Sequence, residues 1–249
     1  MKELTLLLLL LCICILMFLL KIKEPFDTNK WAIVQYDDRK LIPEYDKLVK
    51  LNKQYCDKHN YDHYLITTGY EHVPPYWSKI FACQEILNKK DNNNNYIYEG
   101  ILWLDTDAVV NEQNMLLHTV SNKDFFCSPD PPLWNGQFNA GVFGIRNTSM
   151  GRKICDYWIE LFHKIKDQWT KEDNKWKSNG GWAGATYEQG SFVDNILNNP
   201  KYKQSIDIMP YTKLQGIDID NEQDVFILHF SGSRNKELNN YLNKINNNN

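Results

Sequence analysis

The sequence has no CxxC pair, no block of basic residues and no internal repeat. Without a CxxC pair, a structural zinc site is not expected. Without a basic block, and with a net charge of −3, the chain lacks the usual means of binding nucleic acid through its phosphates, so nucleic acid is not an expected partner. The six cysteines are few enough to leave two alternatives open. Those beyond the N-terminal segment can form up to two disulfides or remain buried thiols.

Apolar and aromatic residues are plentiful instead. Hydrophobic residues make up 43% of the chain, which includes eight Trp and fourteen Tyr. This composition excludes a mostly disordered chain and suits a globular protein with large pockets. A length of 249 residues fits one α/β domain with a sizeable core.

Residues 4–20 contain one polar residue, Thr5, and no charge. As a helix they would extend about 25 Å, near the lower limit for crossing a bilayer. We interpret them as a transmembrane anchor that follows a tail of residues 1–3 and precedes a polar stalk of residues 21–29. A cleaved signal peptide is the alternative, but "KIKEP" follows where a small-x-small cleavage site would be expected. Lysines flank both ends, so charge does not fix the orientation.

From residue 30 onward, strand and helix patterns alternate, which predicts an α/β fold with a parallel sheet wrapped by helices. The predicted strands are residues 30–38, 63–68, 100–110 and 138–147, and residues 224–236 are predicted to be a strand that runs into a Ser/Gly loop. The predicted helices are residues 42–61, 78–90 with Ser78 as N-cap, 150–169 and the later part of 178–197. The folded domain is expected to be residues 30–241, before a disordered Asn-rich tail of residues 242–249.

Two aspartates, Asp105 and Asp107, interrupt the apolar stretch "GILWLDTDAVV". An unpaired buried carboxylate is costly, so these side chains should lie where the strand leaves the core or meet a positive group. Ligands of such sheets bind beyond the carboxyl ends of the strands. In an extended segment residues i and i+2 project to one side, so a single Mg²⁺ or Mn²⁺ can engage both carboxylates. The alternative is an aspartate that caps the next turn beside a solvated one.

His229 ends another apolar strand, and "SGSR" follows it. This loop offers backbone N–H groups around Gly232 and the guanidinium of Arg234, both suited to phosphate. A purely structural histidine is the alternative. A metal site, a phosphate-binding loop and a parallel sheet together indicate a nucleotide-diphosphate ligand.

Six segments in order carry a more specific pattern: "LNKQYCDKHNYDHYL", "YWSKIFACQEIL", "ILWLDTDAVV", "FNAGVFGIRNTSMGRKICDYW", "YEQGSFVDNIL" and "FILHFSGSR". Together they resemble glycosyltransferase family 34, a group of galactosyl-, mannosyl- and xylosyltransferases. The resemblance implies a GT-A (Rossmann-like) fold with a mixed, mainly parallel sheet. It implies retaining, metal-dependent transfer of a hexose or pentose from a nucleotide-diphosphate sugar to a glycan acceptor, forming an α-glycosidic linkage.

The resemblance also implies the site. Mn²⁺, or Mg²⁺, would be bound by Asp105, Asp107 and His229. The donor would be bound by Lys79, Asn139, Gly141, Gly232 and Arg234, although family members commonly have Lys at the last position. Near the reacting carbon would lie Glu188 and Gln189.

For three residues in or near this predicted site, a purely structural role is an open alternative. Glu188 can equally be a helix-start acid favoured by the helix dipole. Trp134 and Trp182 border glycine-rich or proline-rich loops and could stack on an acceptor sugar or anchor those loops on the core.

Under the same resemblance the chain is a single-pass type II membrane protein of the Golgi or ER lumen, and a homodimer is a possible assembly. The sequon at Asn147 would be usable only in such a lumen. Two other functions stay open: a DxD transferase of another GT-A group, such as the initiating mannosyltransferases, and a carbohydrate-binding pseudoenzyme. The second is disfavoured because the DxD aspartates, His229 and the Glu-Gln pair are all present.

Overall fold

A computed structural model describes residues 30–132, 134, 136–217, 225–232 and 234–247. The predicted anchor and stalk lie outside these residues. Within the described ranges, every helix is too short or too polar to cross a membrane.

The strands of the described residues are β1 (Trp31–Tyr36), β2 (Asp62–Ile66), β3 (Gly100–Leu104), β4 (Ala108–Val110), β5 (Phe125–Cys127), β6 (Val142–Arg146), β7 (Trp169–Glu172), β8 (Lys175–Ser178), β9 (Ile206–Ile208), β10 (Gln215–Gly216) and β11 (Ile227–His229). The α-helices are α1 (Pro43–His59), α2 (Pro75–Leu87), α3 (Leu117–Val120), α4 (Ser149–Ile165), α5 (Glu188–Phe192), α6 (Pro200–Lys203), α7 (Tyr211–Leu214) and α8 (Asn235–Asn247). Helix α5 continues as a π-helical stretch, Val193–Leu197.

Six strands form the main sheet in the order β2-β1-β3-β6-β5-β9. β1 is parallel to β2 and β3, and β5 is parallel to β9. β6 is antiparallel to both of its neighbours, β3 and β5. The sheet is therefore mixed and mainly parallel, which confirms the predicted α/β fold class.

The period-2 pattern of the central strands divides the core between the two faces of this sheet. In β1, Ala32 and Val34 pack in the cluster that contains Trp77 of α2 and Trp158 of α4. Their neighbours Trp31 and Ile33 pack in the cluster of the opposite face with residues of α1. Because both faces are covered, β1 and β3 are almost continuously apolar, as their sequences indicate.

Several predicted boundaries need correction. Helix α2 begins at Pro75 rather than Ser78, because proline is favoured in the first turn. The Ser78 hydroxyl instead donates to the carbonyl of Pro74 inside the helix. Helix α4 is capped by Thr148, whose Oγ1 accepts from the backbone N–H of Gly151 at 2.9 Å. This helix ends at Ile165, before the predicted residue 169.

The predicted disordered tail is wrong for residues 242–247, which belong to α8. Leu238, Tyr241 and Leu242 are buried in a cluster with Phe230. These apolar residues recur at helical spacing, but the many asparagines around them led to the prediction of disorder. The four cysteines of the described residues, Cys56, Cys83, Cys127 and Cys155, are buried free thiols, which settles the alternative left open by the sequence.

Candidate active site

Strand pairing brings the three predicted metal ligands together. Asp105 directly follows β3, and a turn closed by the Ala108 N–H and the Asp105 carbonyl (3.0 Å) leads into β4. β4 pairs antiparallel with β11, with His229 opposite Ala108. One ligand atom each from Asp105, Asp107 and His229 lie within 4.8 Å of one another. Asp105 and Asp107 therefore lie where β3 leaves the core, which is one of the two positions expected from the sequence.

The local geometry of the two aspartates differs from the expectation. They do not lie in an extended segment; they are separated by a turn, and the approach of β11 brings their carboxylates near one ligand position. Thr106, between them, donates from Oγ1 to the buried carboxylate of Asp37 at the end of β1 (2.9 Å). Arg39 holds the same carboxylate through Nε and Nη2, each at 2.8 Å. The turn is thereby tied to the central sheet.

The imidazole of His229 is oriented by a buried amide. Its Nδ1 lies 2.8 Å from Oε1 of Gln215, and Nε2 of Gln215 donates to the Ser128 hydroxyl at 2.7 Å. Because a carbonyl oxygen can only accept, Nδ1 carries the proton and Nε2 keeps its lone pair. Nε2 is buried, 3.3 Å from Oδ1 of Asp107, and has no hydrogen-bond partner among the described residues. A histidine held in this way is suited to ligate a metal.

Because Gly141 has no side chain, the His229 ring can pack directly against its backbone. A Cβ at this position would lie 2.2 Å from Cε1 and 2.7 Å from Nε2 of His229, so only glycine fits here. The family resemblance implies that Gly141 lines the donor sugar; in the structure Gly141 lines the cleft and also packs against the candidate metal ligand. Two carboxylates and an unpartnered imidazole nitrogen suit Mn²⁺, and the residues therefore fit the predicted metal.

Burial and mutual attraction oppose each other in the pair of Asp107 and His229. Burial disfavours both charged forms, but the neighbouring His229 lowers the pKa of Asp107 overall. In the same way Asp107 raises the pKa of His229 against the effect of burial. The close approach of His229 therefore favours the ionised form of Asp107, which is the form that binds a metal.

A buried lysine joins the metal ligands to Glu188. The Lys79 ammonium lies 3.0 Å from Oδ1 of Asp105, 3.0 Å from the carbonyl of Ala140 and 3.5 Å from Oε1 of Glu188. Lys79 is therefore a positive group of the kind that the two aspartates were expected to meet. Burial lowers the pKa of Lys79, but Asp105 and Glu188 more than offset this and raise it. Burial raises the pKa of Glu188, which Lys79 only partly offsets.

Asp130, in the proline-rich loop after β5, also belongs to the site, although its sequence pattern did not predict this. Its Oδ1 accepts from the amide of Asn139 at 2.7 Å and its Oδ2 from the amide of Gln189 at 3.1 Å. Gln189 also accepts from the backbone N–H of Ala140 at 3.1 Å. Burial raises the pKa of Asp130. A single aspartate at the carboxyl end of a strand was a signal that could have identified it.

These side chains line one cleft of about 920 Å³, within the usual range for small-molecule sites. Its lining includes nine of the ten predicted site residues: Lys79, Asp105, Asp107, Asn139, Gly141, Glu188, Gln189, His229 and Gly232. The tenth, Arg234, is not brought to the lining; its guanidinium carbon lies 5.3 Å from the centre of a Trp134 ring. Gly232, at φ +70°, also packs closely on Trp134.

The fold and the site define an α/β protein with a mixed, mainly parallel sheet and a candidate metal centre at the carboxyl end of β3. The chain is 23% identical to an alpha-1,2-galactosyltransferase of Schizosaccharomyces pombe, over 77% of this chain and 57% of that protein. The alignment thus spans little more than half of that relative.

Two solved structures are similar as well. A glycosyltransferase involved in the glycosylation of the major capsid of PBCV-1 matches with a TM-score of 0.61 and 16% identity, over 85% of this chain and 98% of that one. The apo-form glycosyltransferase GlyE of Streptococcus pneumoniae TIGR4 matches with a TM-score of 0.46 and 15% identity, over 86% and 63%. No protein-family model matches the chain. The chain therefore has the fold of the PBCV-1 glycosyltransferase and is a distant relative of glycosyltransferases.

Proposed function

We propose that this chain is a metal-dependent glycosyltransferase that moves a sugar from a nucleotide-diphosphate donor to a glycan acceptor. The observation that carries the proposal is the cluster of Asp105, Asp107 and His229, with the lone pair of the buried Nε2 directed into a cleft. These residues would hold Mn²⁺ or Mg²⁺, which supplies positive charge for the donor diphosphate and for the diphosphate leaving group.

The groups around the metal ligands have complementary roles in this proposal. Lys79 contacts Asp105 at 3.0 Å and adds positive charge beside it. Glu188 and Gln189 lie next to the reacting carbon, where transfer with retention needs a polar group. Asn139 binds the donor sugar, and the Gly232 loop binds phosphate.

The finer assignments are proposals of the same kind. Family 34 is supported by the order of the six motifs, and galactose as the transferred sugar by the name of the fission-yeast relative. The anchor in residues 4–20, the type II topology, the Golgi or ER location and a homodimer rest on the sequence and the resemblance.

Release of nucleotide from a donor tests the proposal. The full-length chain is incubated with UDP-galactose, UDP-xylose or GDP-mannose, with Mn²⁺ or with EDTA. We expect metal-dependent release of UDP or GDP from one donor, and its loss in Asp107→Asn. Asp57→Asn, on the exposed face of α1, is the matched control and should behave as the wild type.

The outcomes separate the alternatives. Turnover of GDP-mannose alone favours a mannosyltransferase. Donor binding without release, even with simple sugars present as acceptors, favours the pseudoenzyme. Absence of metal-dependent binding of every donor overturns the proposal.

A further inference from the structure

Two tryptophans border the cleft, and their environments differ. Trp134 is covered on one side by Gly232 and by the Arg234 guanidinium. Trp182 is 72% exposed, the most exposed of the large hydrophobic side chains among the described residues. We infer that Trp182 is the platform on which a pyranose ring of the glycan acceptor stacks. This inference rests on the proposed function and adds its acceptor site.

The loop that carries Trp182 is held to the core by hydrogen bonds that do not involve this indole. The carbonyl of Thr186 accepts from the indole N–H of Trp77 at 3.0 Å and from that of Trp169 at 2.9 Å. The Thr186 hydroxyl hydrogen-bonds to that of Ser178 at 2.7 Å. Trp182 is therefore not the anchor of its loop, which was the alternative that the sequence left open.

The loop also holds an uncommon backbone conformation beside Trp182. Ala183 has φ +54°, in the left-handed region that non-glycine residues rarely adopt. Such conformations persist where the surrounding structure enforces them, and they concentrate at ligand-binding positions. Here the conformation turns the chain directly after the exposed indole.

Close packing places the loop against the start of α5. A Cβ on Gly190 would lie 2.3 Å from the carbonyl group of Gly184 and 2.4 Å from the carbonyl oxygen of Ala183. Gly190 directly follows Gln189. A sugar on Trp182 would thus lie beside the residues proposed to surround the reacting carbon, at the same cleft as the metal ligands.

The aromatic neighbours of Trp182 contact its indole but leave most of it exposed to solvent. Tyr76 and Tyr187 contact it edge-on, with ring centres at 5.1 and 5.2 Å. A pyranose has one face of C–H groups, which carry partial positive charge and pack on the electron-rich face of an aromatic ring. Its hydroxyl groups need polar partners, which the same cleft offers in Asp130. A neutral, hydroxylated ring therefore matches both parts of the surface.

Saturation-transfer NMR with irradiation of aromatic protons tests this contact. The full-length chain with Mg²⁺, which is diamagnetic and does not broaden the sugar signals as Mn²⁺ would, is titrated with methyl α-mannopyranoside, methyl β-galactopyranoside and lactose. We expect transfer to the ring protons of at least one sugar, with affinity at least tenfold weaker in Trp182→Ala and partly retained in Trp182→Phe. The control is Trp176→Ala, which removes a half-buried indole of β8 outside the cleft lining and should bind as the wild type.

Two results overturn the inference: no saturation transfer to any of the three sugars, or equal affinity in the wild type and Trp182→Ala. A separate titration of the wild type with UDP-galactose and GDP-mannose in Mn²⁺ tests the proposed function. Sugar binding through Trp182 without donor binding would leave the sugar platform standing and remove the transferase. Donor binding together with equal sugar affinity in the wild type and Trp182→Ala would support the transferase and remove the sugar platform.

Discussion

Gln215 accepts from Nδ1 of His229 at 2.8 Å, and this contact leaves Nε2 as the metal-binding nitrogen. Removal of such an outer hydrogen bond typically weakens metal binding 10–100-fold. We therefore expect Gln215→Leu to weaken Mn²⁺ affinity about 10–100-fold, measured by titration calorimetry. Gln204→Leu, at an exposed position, is the control. Unchanged affinity in Gln215→Leu would mean that the orientation of His229 is set by other contacts.

A methyl group at position 141 should displace the same imidazole. The added Cβ would lie 2.2 Å from Cε1 of His229, far inside contact distance. We expect Gly141→Ala to lose measurable Mn²⁺ binding while keeping the overall fold, as judged by circular dichroism. Gly181→Ala, where the new methyl group meets nothing within 4 Å, should bind Mn²⁺ normally. Normal binding by Gly141→Ala would contradict a ligand role for His229.

The sequence identified the residues whose chemistry has a local pattern. Asp105 and Asp107 interrupt an apolar strand, and His229 ends another, so each could be recognised from its neighbours. That all three share one site follows from the antiparallel pairing of β4 with β11, which no local pattern records.

Other contacts within the site could not be predicted either, because they also join residues that are distant in the sequence. Gln215 lies in a two-residue strand and contacts His229 only through the pairing of β10 with β11. The contact of Lys79 with Glu188 joins residues 109 positions apart. The strands β1, β2, β3 and β6 and the long helices were predicted from their apolar patterns, whereas the short strands β5, β7, β8 and β9 were not. Helix starts depended on local residues such as Pro75 and the N-cap Thr148.

Lys79 joins two carboxylates, and its removal should affect stability and turnover differently. Loss of one partner of a buried ion pair costs about 3–5 kcal/mol. We expect Lys79→Met to lower the free energy of unfolding by about 3 kcal/mol and nucleotide release about 100-fold. These are measured by urea denaturation and by donor hydrolysis.

The double variant separates the two effects. Lys79→Met with Glu188→Gln removes the uncompensated carboxylate, so the free energy of unfolding should recover in part while nucleotide release stays low. Equal stability of the single and double variants would show that Glu188 does not depend on Lys79.

A half-buried histidine of β2 should make the fold sensitive to acid. Nε2 of His63 donates to Oε1 of Gln35 at 2.8 Å, and burial lowers the pKa of His63 to about 4. Above pH 6.5 the imidazole is neutral in both the folded and the unfolded chain. As the pH falls from 6.5 towards 4, the unfolded chain binds a proton that the folded chain excludes. Stability is therefore lost in this window, at up to about 1.4 kcal/mol per pH unit.

Urea denaturation at pH 7 and pH 5 measures this loss. His63→Asn should lose less stability than the wild type between the two pH values, because it has no imidazole to protonate. His72→Asn, at an exposed position, should follow the wild type. A loss in His63→Asn as large as that of the wild type would assign the acid sensitivity to other groups.

The side chain of the sequon residue Asn147 makes internal hydrogen bonds, and these oppose its N-glycosylation. Nδ2 of Asn147 donates to the carbonyl of Leu87 at 2.7 Å and to that of Tyr98 at 3.0 Å. Nδ2 is also the atom to which an N-glycan would be joined, and Thr148 of the sequon caps α4. Asn147→Ala should therefore lower the free energy of unfolding by about 1–3 kcal/mol, because two carbonyls lose their donor. Chain secreted from a glycosylating host should show no mobility change on treatment with an N-glycan-releasing enzyme. A glycosylated chain with wild-type stability would show that these two hydrogen bonds are dispensable for the fold.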